Sequence, residues 1–253
     1  MLFCLNITIQ SHSYHQSKFF NSSKWAIGTL FDSKSSLTDY FGLQRENQRL
    51  VQENESLRLQ LLNTTTNPSA TAKDAGMLQL YEVISARAIK NNIAAPRNYI
   101  TINRGETHGV AQDMGVITPL GILGIVENTS AGYATVQSVL NTKSNINAKI
   151  KNTNYFGSLV WDANDHQILQ LVDIPRSASI MVGDTIATGA MSSIFPEDIP
   201  IGLIEKYDLN QNQSSYNIQV RLFNDMANIK NVYVIRNKDR KEILELQNRT
   251  DAE

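Results

Sequence analysis

The sequence predicts a mainly β chain: two barrels or sandwiches of about six strands each, preceded by one coiled-coil helix. Three observations carry that expectation. A polar stretch ending near residue 62 repeats its apolar side chains at alternating spacings of three and four, the period of a helix seam. From Leu78 to Arg236, short runs rich in Val, Ile, Tyr and Thr alternate with Gly, Asn, Asp and Pro, the texture of all-β domains. About a dozen such runs in about 160 residues are too many for one small barrel.

Composition removes several function classes. The chain has 253 residues, 23 Lys and Arg against 24 Asp and Glu, and a net charge of −1, so no basic footprint points to nucleic acid. Its single cysteine, Cys4, excludes an internal disulfide framework and a cysteine-rich zinc site. The four histidines, His12, His15, His108 and His166, include no pair at the H-E-x-x-H spacing. No metal and no cofactor are expected.

Residues 1–20 come first. Positions 1–17 hold no charged side chain, but only Met1–Ile9 reads as apolar, with Asn6 and Thr8 already inside it. A spanning helix needs about 20 apolar residues, so this stretch cannot cross a bilayer alone. It also lacks the basic start and small-residue cleavage site of a signal peptide. Two readings stay open: a fraying terminus, or the tail end of a membrane segment.

Residues 21–63 form the helical stalk. With Tyr40 at position a, the a/d series runs Tyr40, Leu43, Asn47, Leu50, Asn54, Leu57, Leu61. Asn at a beside Leu at d suits a parallel two-stranded coil, in which paired Asn side chains set register. Glu53 at g is placed to meet Arg58 at e of a second copy. The competing reading is a helix laid on its own domain with Leu43, Leu50 and Leu57 buried. The polar surround of Arg45, Glu46, Gln48, Arg49, Gln52, Glu53 and Glu55 favours the dimer. Three heptads are marginal alone, so the pairing needs help from elsewhere. Residues 64–77 then read as a linker, and Pro68 opposes helix continuation.

Strands are expected near 80–89, 98–103, 114–118, 121–127, 133–140, 145–151, 157–161, 167–173, 184–188, 200–207, 216–223 and 231–236. The clearest is YNIQVRLF, where Tyr216, Ile218, Val220 and Leu222 face one way and Asn217, Gln219 and Arg221 the other. The first β-domain is placed at 78–150 and the second at 151–230. The last strand, 231–236, is left between a return to the first domain and membership of the second. Residues 237–253 read as a frayed, charged tail.

No catalytic residue emerges. Ser192 and Ser193 follow Gly189-Ala190-Met191 with no G-x-S-x-G frame, His108 sits in a turn-like GETHG, and His166 sits in an equally turn-like DANDHQ. Asp162, Asp165 and Asp173 read as solvated turn or strand-face residues. No G-x-G-x-x-G or Walker loop stands among the glycines.

The motifs do resemble a known family. Asn103-Arg104-Gly105-Glu106-Thr107-His108-Gly109-Val110 is followed by Met114-Gly115-Val116-Ile117 and then by Gly121-Ile122-Leu123-Gly124-Ile125-Val126. Most specific is Val182-Gly183-Asp184-Thr185-Ile186-Ala187-Thr188-Gly189, with Phe195-Pro196 and Ile199-Pro200-Ile201-Gly202 after it. This text is similar to the signature G-D-x-V-x-T-S-G…F-P-x-G-[IL]-P-I-G of the rod-shape-determining MreC family, and the likeness covers nearly the whole chain. Ala187-Thr188-Gly189 departs from the commoner T-S-G, and Glu197-Asp198 stand where the family often has glycine.

The resemblance implies two six-stranded barrels without a catalytic triad, and a non-enzymatic scaffold of the cell-elongation machinery, or elongasome. It implies a homodimer through the coiled coil and further partners: a peptidoglycan transpeptidase (a penicillin-binding protein), MreD and MreB. It also implies an inner-membrane association with the β-domains in the periplasm, residues 1–20 then being the truncated end of the anchor. The alternatives are a trypsin-like barrel hydrolase and a periplasmic secretion-type adaptor. Such adaptors usually insert a helical hairpin into a β-domain, whereas one helix precedes both here. The surface expected to meet the transpeptidase is Tyr155-Phe156 before Gly157, together with Phe195 in Ile194-Phe195-Pro196. The competing reading of these aromatics is that they plug barrel ends.

Overall fold

The computed structural model describes residues 47–63, 80–151, 153, 155–210 and 214–250. Tyr40 and Leu43 of the seam, the segment 1–20 and the linker 64–77 lie outside the described residues. The chain divides into two compact units, Met1–Glu53 and Asn54–Glu253, and both barrels belong to the second.

Helix α1 occupies 47–63. Strands β1 (Tyr81–Asn91), β2 (Arg97–Ile102), β3 (Gly115–Ile117), β4 (Ile122–Thr129) and β5 (Ala134–Asn141) follow. Next come β6 (Ile146–Ile150), β7 (Phe156–Val160), β8 (Ile168–Pro175), β9 (Thr185–Thr188), β10 (Pro200–Leu209), β11 (Ser215–Leu222) and β12 (Asn231–Asn237). Helix α2 runs over Arg240–Thr250. Where a frayed tail is expected, the structure has a helix, because Arg240–Leu246 is rich in strong helix formers and Arg240 anchors its first turn.

The strands close into two antiparallel barrels, ordered β1-β12-β3-β4-β5-β2 and β10-β11-β8-β7-β6-β9. β12 returns across the whole of β10 and β11 to pair with β1, from Tyr81↔Asn237 to Arg87↔Asn231, and so closes the first barrel. The boundary placed after residue 150 is corrected: β6 pairs with β7 and β9 and belongs to the second barrel. Closure leaves each barrel without free edges, which removes the aggregation hazard of exposed strands.

Both interiors follow from the period-two pattern. In β11, Ile218, Val220 and Leu222 are buried and Asn217 and Arg221 exposed. In β2, Asn98, Ile100 and Ile102 are buried while Tyr99 and Thr101 are half-buried. The first interior is filled by Ile100, Ile102, Val116, Ile122, Val136 and Val234, and the second by Leu159, Leu171, Ile186, Ile204, Ile218 and Val220.

Buried polar side chains tie the connections down, as the cost of an unpaired buried amide demands. Asn98 Nδ2 donates to the Leu140 carbonyl at 2.8 Å, and its Oδ1 accepts from the Ala95 amide at 3.1 Å. Thr188 Oγ1 donates to the Pro196 carbonyl at 2.6 Å and accepts from the Ile199 amide at 2.9 Å, folding the 189–199 connection back on β9. At the turn into β9, the Asp184 carboxylate accepts from the Met181 amide at 2.8 Å and Gly183 takes a φ of 95°. A side chain at Gly183 would be strained there, which gives the Gly-Asp pair its physical reason.

The two barrels meet along one joint. Phe195, from the 189–199 connection, lies against the backbone face of Gly115 at the start of β3. Arg240 donates to Asp113 at 3.0 Å and also to the Ser193 hydroxyl, so one guanidinium spans both sides of the joint. Asn224, just past β11, donates to the Ile122 carbonyl at 2.7 Å and is hydrogen-bonded to Thr118.

Candidate interaction surfaces

Helix α1 turns one face to the first barrel. Glu55, Arg58, Leu59, Leu62 and Asn63 are half-buried, and Leu59 and Leu62 pack against the core. Asn63 zips the helix end to β1: its Nδ2 donates to the Tyr81 carbonyl at 3.1 Å and its Oδ1 accepts from the Tyr81 amide at 3.1 Å. The Arg58 guanidinium stacks on the Tyr233 ring at 4.8 Å and donates to the Pro119 carbonyl at 3.3 Å. Arg58 is therefore engaged with its own barrel, contacts that compete with the expected pairing to Glu53 of a second copy.

The predicted seam is on a different face. Leu50, Leu57 and Leu61 are exposed, at 45%, 55% and 65%, and Asn47 and Asn54 are exposed with them. The competing reading, with Leu50 and Leu57 buried against the chain's own domain, is corrected: both are exposed, and Leu59 and Leu62 are the side chains that pack inward.

The aromatic residues separate. Tyr155 is half-buried, packs against the core and donates its hydroxyl to the Ser177 carbonyl at 3.3 Å. Phe156 opens β7 on the outer face of the second barrel, opposite Lys149, and is 45% exposed. Phe195 is 2% exposed. Its reading as a partner contact is corrected, because the joint between the barrels already covers it.

A cleft of about 370 Å³ opens where α1, the β3–β4 turn and the 196–200 segment converge, lined by Arg58, Leu61, Leu62, Pro119, Pro196 and Pro200. Its far wall carries Glu197 and Asp198, both ion-paired to Lys149, whose ammonium is 2.9 Å from the Asp198 carboxylate. Burial pulls the Lys149 pKa down, but the hydrogen bonds to Glu197 and Asp198 outweigh it and hold the ammonium above the ordinary lysine range. The acidic pair Glu197-Asp198 thus closes a charge cluster with Lys149. No local pattern in the sequence reveals that cluster, nor the hydrogen bonds of Asn63 and Thr188.

Ser192, Ser193, His108 and His166 serve local structure. Ser192 Oγ accepts from the Ile194 and Phe195 amides, at 3.2 Å each, and the Ser193 hydroxyl is bound by Arg240. His108 Nδ1 lies 3.4 Å from the Gly105 amide within a single 3₁₀ turn, and His166 lies beside Asp165 on the β7–β8 connection. Among the described residues no three His, Cys, Asp or Glu side chains gather, and no helix is long and apolar enough to cross a membrane.

The model of the family described as rod shape-determining protein MreC, barrel core, matches residues 88–236. The cell shape-determining protein MreC of Listeria monocytogenes is 27% identical over 215 residues, covering 83% of this chain and 72% of that protein. The namesake in Streptococcus pneumoniae is 23% identical over 189 residues, 73% of this chain and 65% of that protein. A solved structure of the Listeria monocytogenes MreC aligns at a TM-score of 0.59 and 26% identity, covering 81% of this chain and 93% of that one. The crystal structure of MreC from Pseudomonas aeruginosa, at 20% identity, shares the fold with a TM-score of 0.55, covering 60% of this chain and 98% of that one.

Proposed function

Because the chain belongs to the MreC family of rod shape-determining proteins, we propose that it is a non-enzymatic scaffold of the bacterial elongation machinery. In this reading it maintains cell shape by holding a peptidoglycan transpeptidase at the inner membrane, with the barrels on the periplasmic side. MreD and MreB are its further partners in the complex, and α1 pairs two copies. The observation that carries the reading is the family match across 88–236, the segment that supplies nearly all strands of both barrels. The placement of side chains supports it. The candidate nucleophiles Ser192 and Ser193 are spent on a turn and on Arg240, while Phe156 and the α1 seam offer apolar surface to partners. A docking surface needs desolvated aromatic anchors, and Phe156 is the aromatic of the second barrel best placed to be one.

The test is binding of the purified periplasmic part of a penicillin-binding transpeptidase from the same organism to the 253-residue chain. Phe156→Ala is expected to weaken binding by about thirtyfold, the scale of a hot-spot aromatic, with thermal unfolding unchanged. Binding unaffected by Phe156→Ala moves the partner surface elsewhere. Failure of the unaltered chain to bind defeats the scaffold reading.

A further inference from the structure

We propose that the groove at the joint between the barrels binds a glycan, through the N-acetylated amino sugars of an uncharged strand. The groove opens where β4, the start of β6, β7 and the 191–195 stretch of the long connection converge, and it encloses about 340 Å³. That volume lies at the lower end of the range of small-molecule sites. It shares no residue with the α1 seam and does not include Phe156.

Its walls carry hydrogen-bonding side chains without charge. Asn147 and Ser158 are directly paired across β6 and β7, so their half-buried side chains stand side by side on one face of the sheet. Asn145, just ahead of β6, adds a second amide, and Ser192 and Ser193 line the groove from the long connection. No Asp, Glu, Lys or Arg is among the lining residues, so nothing there answers a phosphate or another ionic ligand.

Three of these groups keep unused bonding capacity. Asn147 Oδ1 is buried with no hydrogen-bond partner among the described residues, a cost that native structures rarely carry. Gly189 makes room for this amide, since a Cβ there would collide with Oδ1. Ser192 Oγ accepts from the Ile194 and Phe195 amides, and Ser193 Oγ accepts from Arg240, so each hydroxyl keeps its proton to donate. One acceptor and two donors around a single space match an acetamido group, which donates through its N–H and accepts at its carbonyl. Met191, 66% exposed, and the half-buried Ile125 and Ile194 supply apolar surface for the acetamido methyl and the C–H face of a sugar ring.

A peptide carries the same amide, but an extended peptide is captured along an unpaired strand edge, and both barrels are closed. The unused groups here belong to side chains. Amides and hydroxyls of that kind also answer ring hydroxyls, which donate and accept in turn. The occupant is therefore a run of N-acetylated amino sugars.

The test is a titration of the isotope-labelled 253-residue chain with tetra-N-acetylchitotetraose, followed by NMR. The sugar is expected to shift the amide signals of Asn145, Asn147, Ser158 and residues 191–194 together. Cellotetraose, which has the ring hydroxyls but no acetamido group, is expected to bind at least about tenfold more weakly. Asn147→Ala is expected to weaken binding of the acetylated sugar at least about tenfold with thermal unfolding unchanged, because Oδ1 has no partner to lose. Ser158→Ala, at the paired position, is expected to weaken it as well and serves as the readout if Asn147→Ala does not fold. No shifts at millimolar sugar, shifts that map elsewhere, equal binding of cellotetraose, or binding unchanged in the folded variants overturns the proposal. Tighter binding of the uncharged peptide acetyl-Gly-Ser-Gly-amide at the same residues assigns the groove to a peptide and overturns it too.

Discussion

Gly115 leaves no room for a methyl group: a Cβ there would sit 2.7 Å from the Phe195 ring, which is itself enclosed. Phe195→Ala is expected to cost about 3–5 kcal/mol in urea unfolding, and Gly115→Ala about 1–3 kcal/mol by overpacking the same contact. Neither is expected to weaken transpeptidase binding by the folded fraction. A Phe195→Ala protein of undiminished stability would show that the joint does not depend on this contact. The signature text around Phe195 was legible from the sequence, yet its role was not, because an aromatic in a turn looks alike whether it meets a partner or its own neighbour. Tyr155 and Phe156 were indistinguishable for the same reason, yet Tyr155 packs against the core just before β7 while Phe156, its first residue, is exposed. The bonding roles of Asn63 and Thr188 were invisible, since their bonds to Tyr81 and Pro196 join positions that no local pattern links.

Among the elements, α1 bears two stripes where most surface helices bear one. Leu59 and Leu62 hold it on the barrel, while Leu50, Leu57 and Leu61 stay exposed. Replacing Leu50 and Leu57 together by Ala is expected to abolish the dimer in analytical ultracentrifugation, at roughly 2–5 kcal/mol for each leucine fully buried in the seam. The barrels of that variant are expected to unfold as before. A dimer that survives the double substitution contradicts the seam. The strands were readable because alternation is a local signal, clearest in β11. The membership of β6 and β12 was not, since pairing partners far along the chain decide it. α2 was missed because its charged composition hides a helix that needs no buried face of its own, only the anchor at Arg240.

At the scale of the molecule, the barrels are joined in a way the chain order disguises. β12 closes the first barrel only after the second has been completed, so the second is an insertion between β5 and β12. Such a connection enters and leaves the inserted barrel close to the joint, where Phe195, Asn224 and Arg240 fasten it. The result is a surface held in a fixed arrangement, which suits the proposed scaffold role. We propose that this arrangement maintains cell shape by organising peptidoglycan synthesis. The most direct test is depletion of the protein in the organism that encodes it, with cell dimensions and the position of a fluorescent transpeptidase followed together. The account predicts that cells lose their elongated shape and the transpeptidase disperses, and that the intact chain restores both. Unchanged shape with the transpeptidase still in place would contradict it.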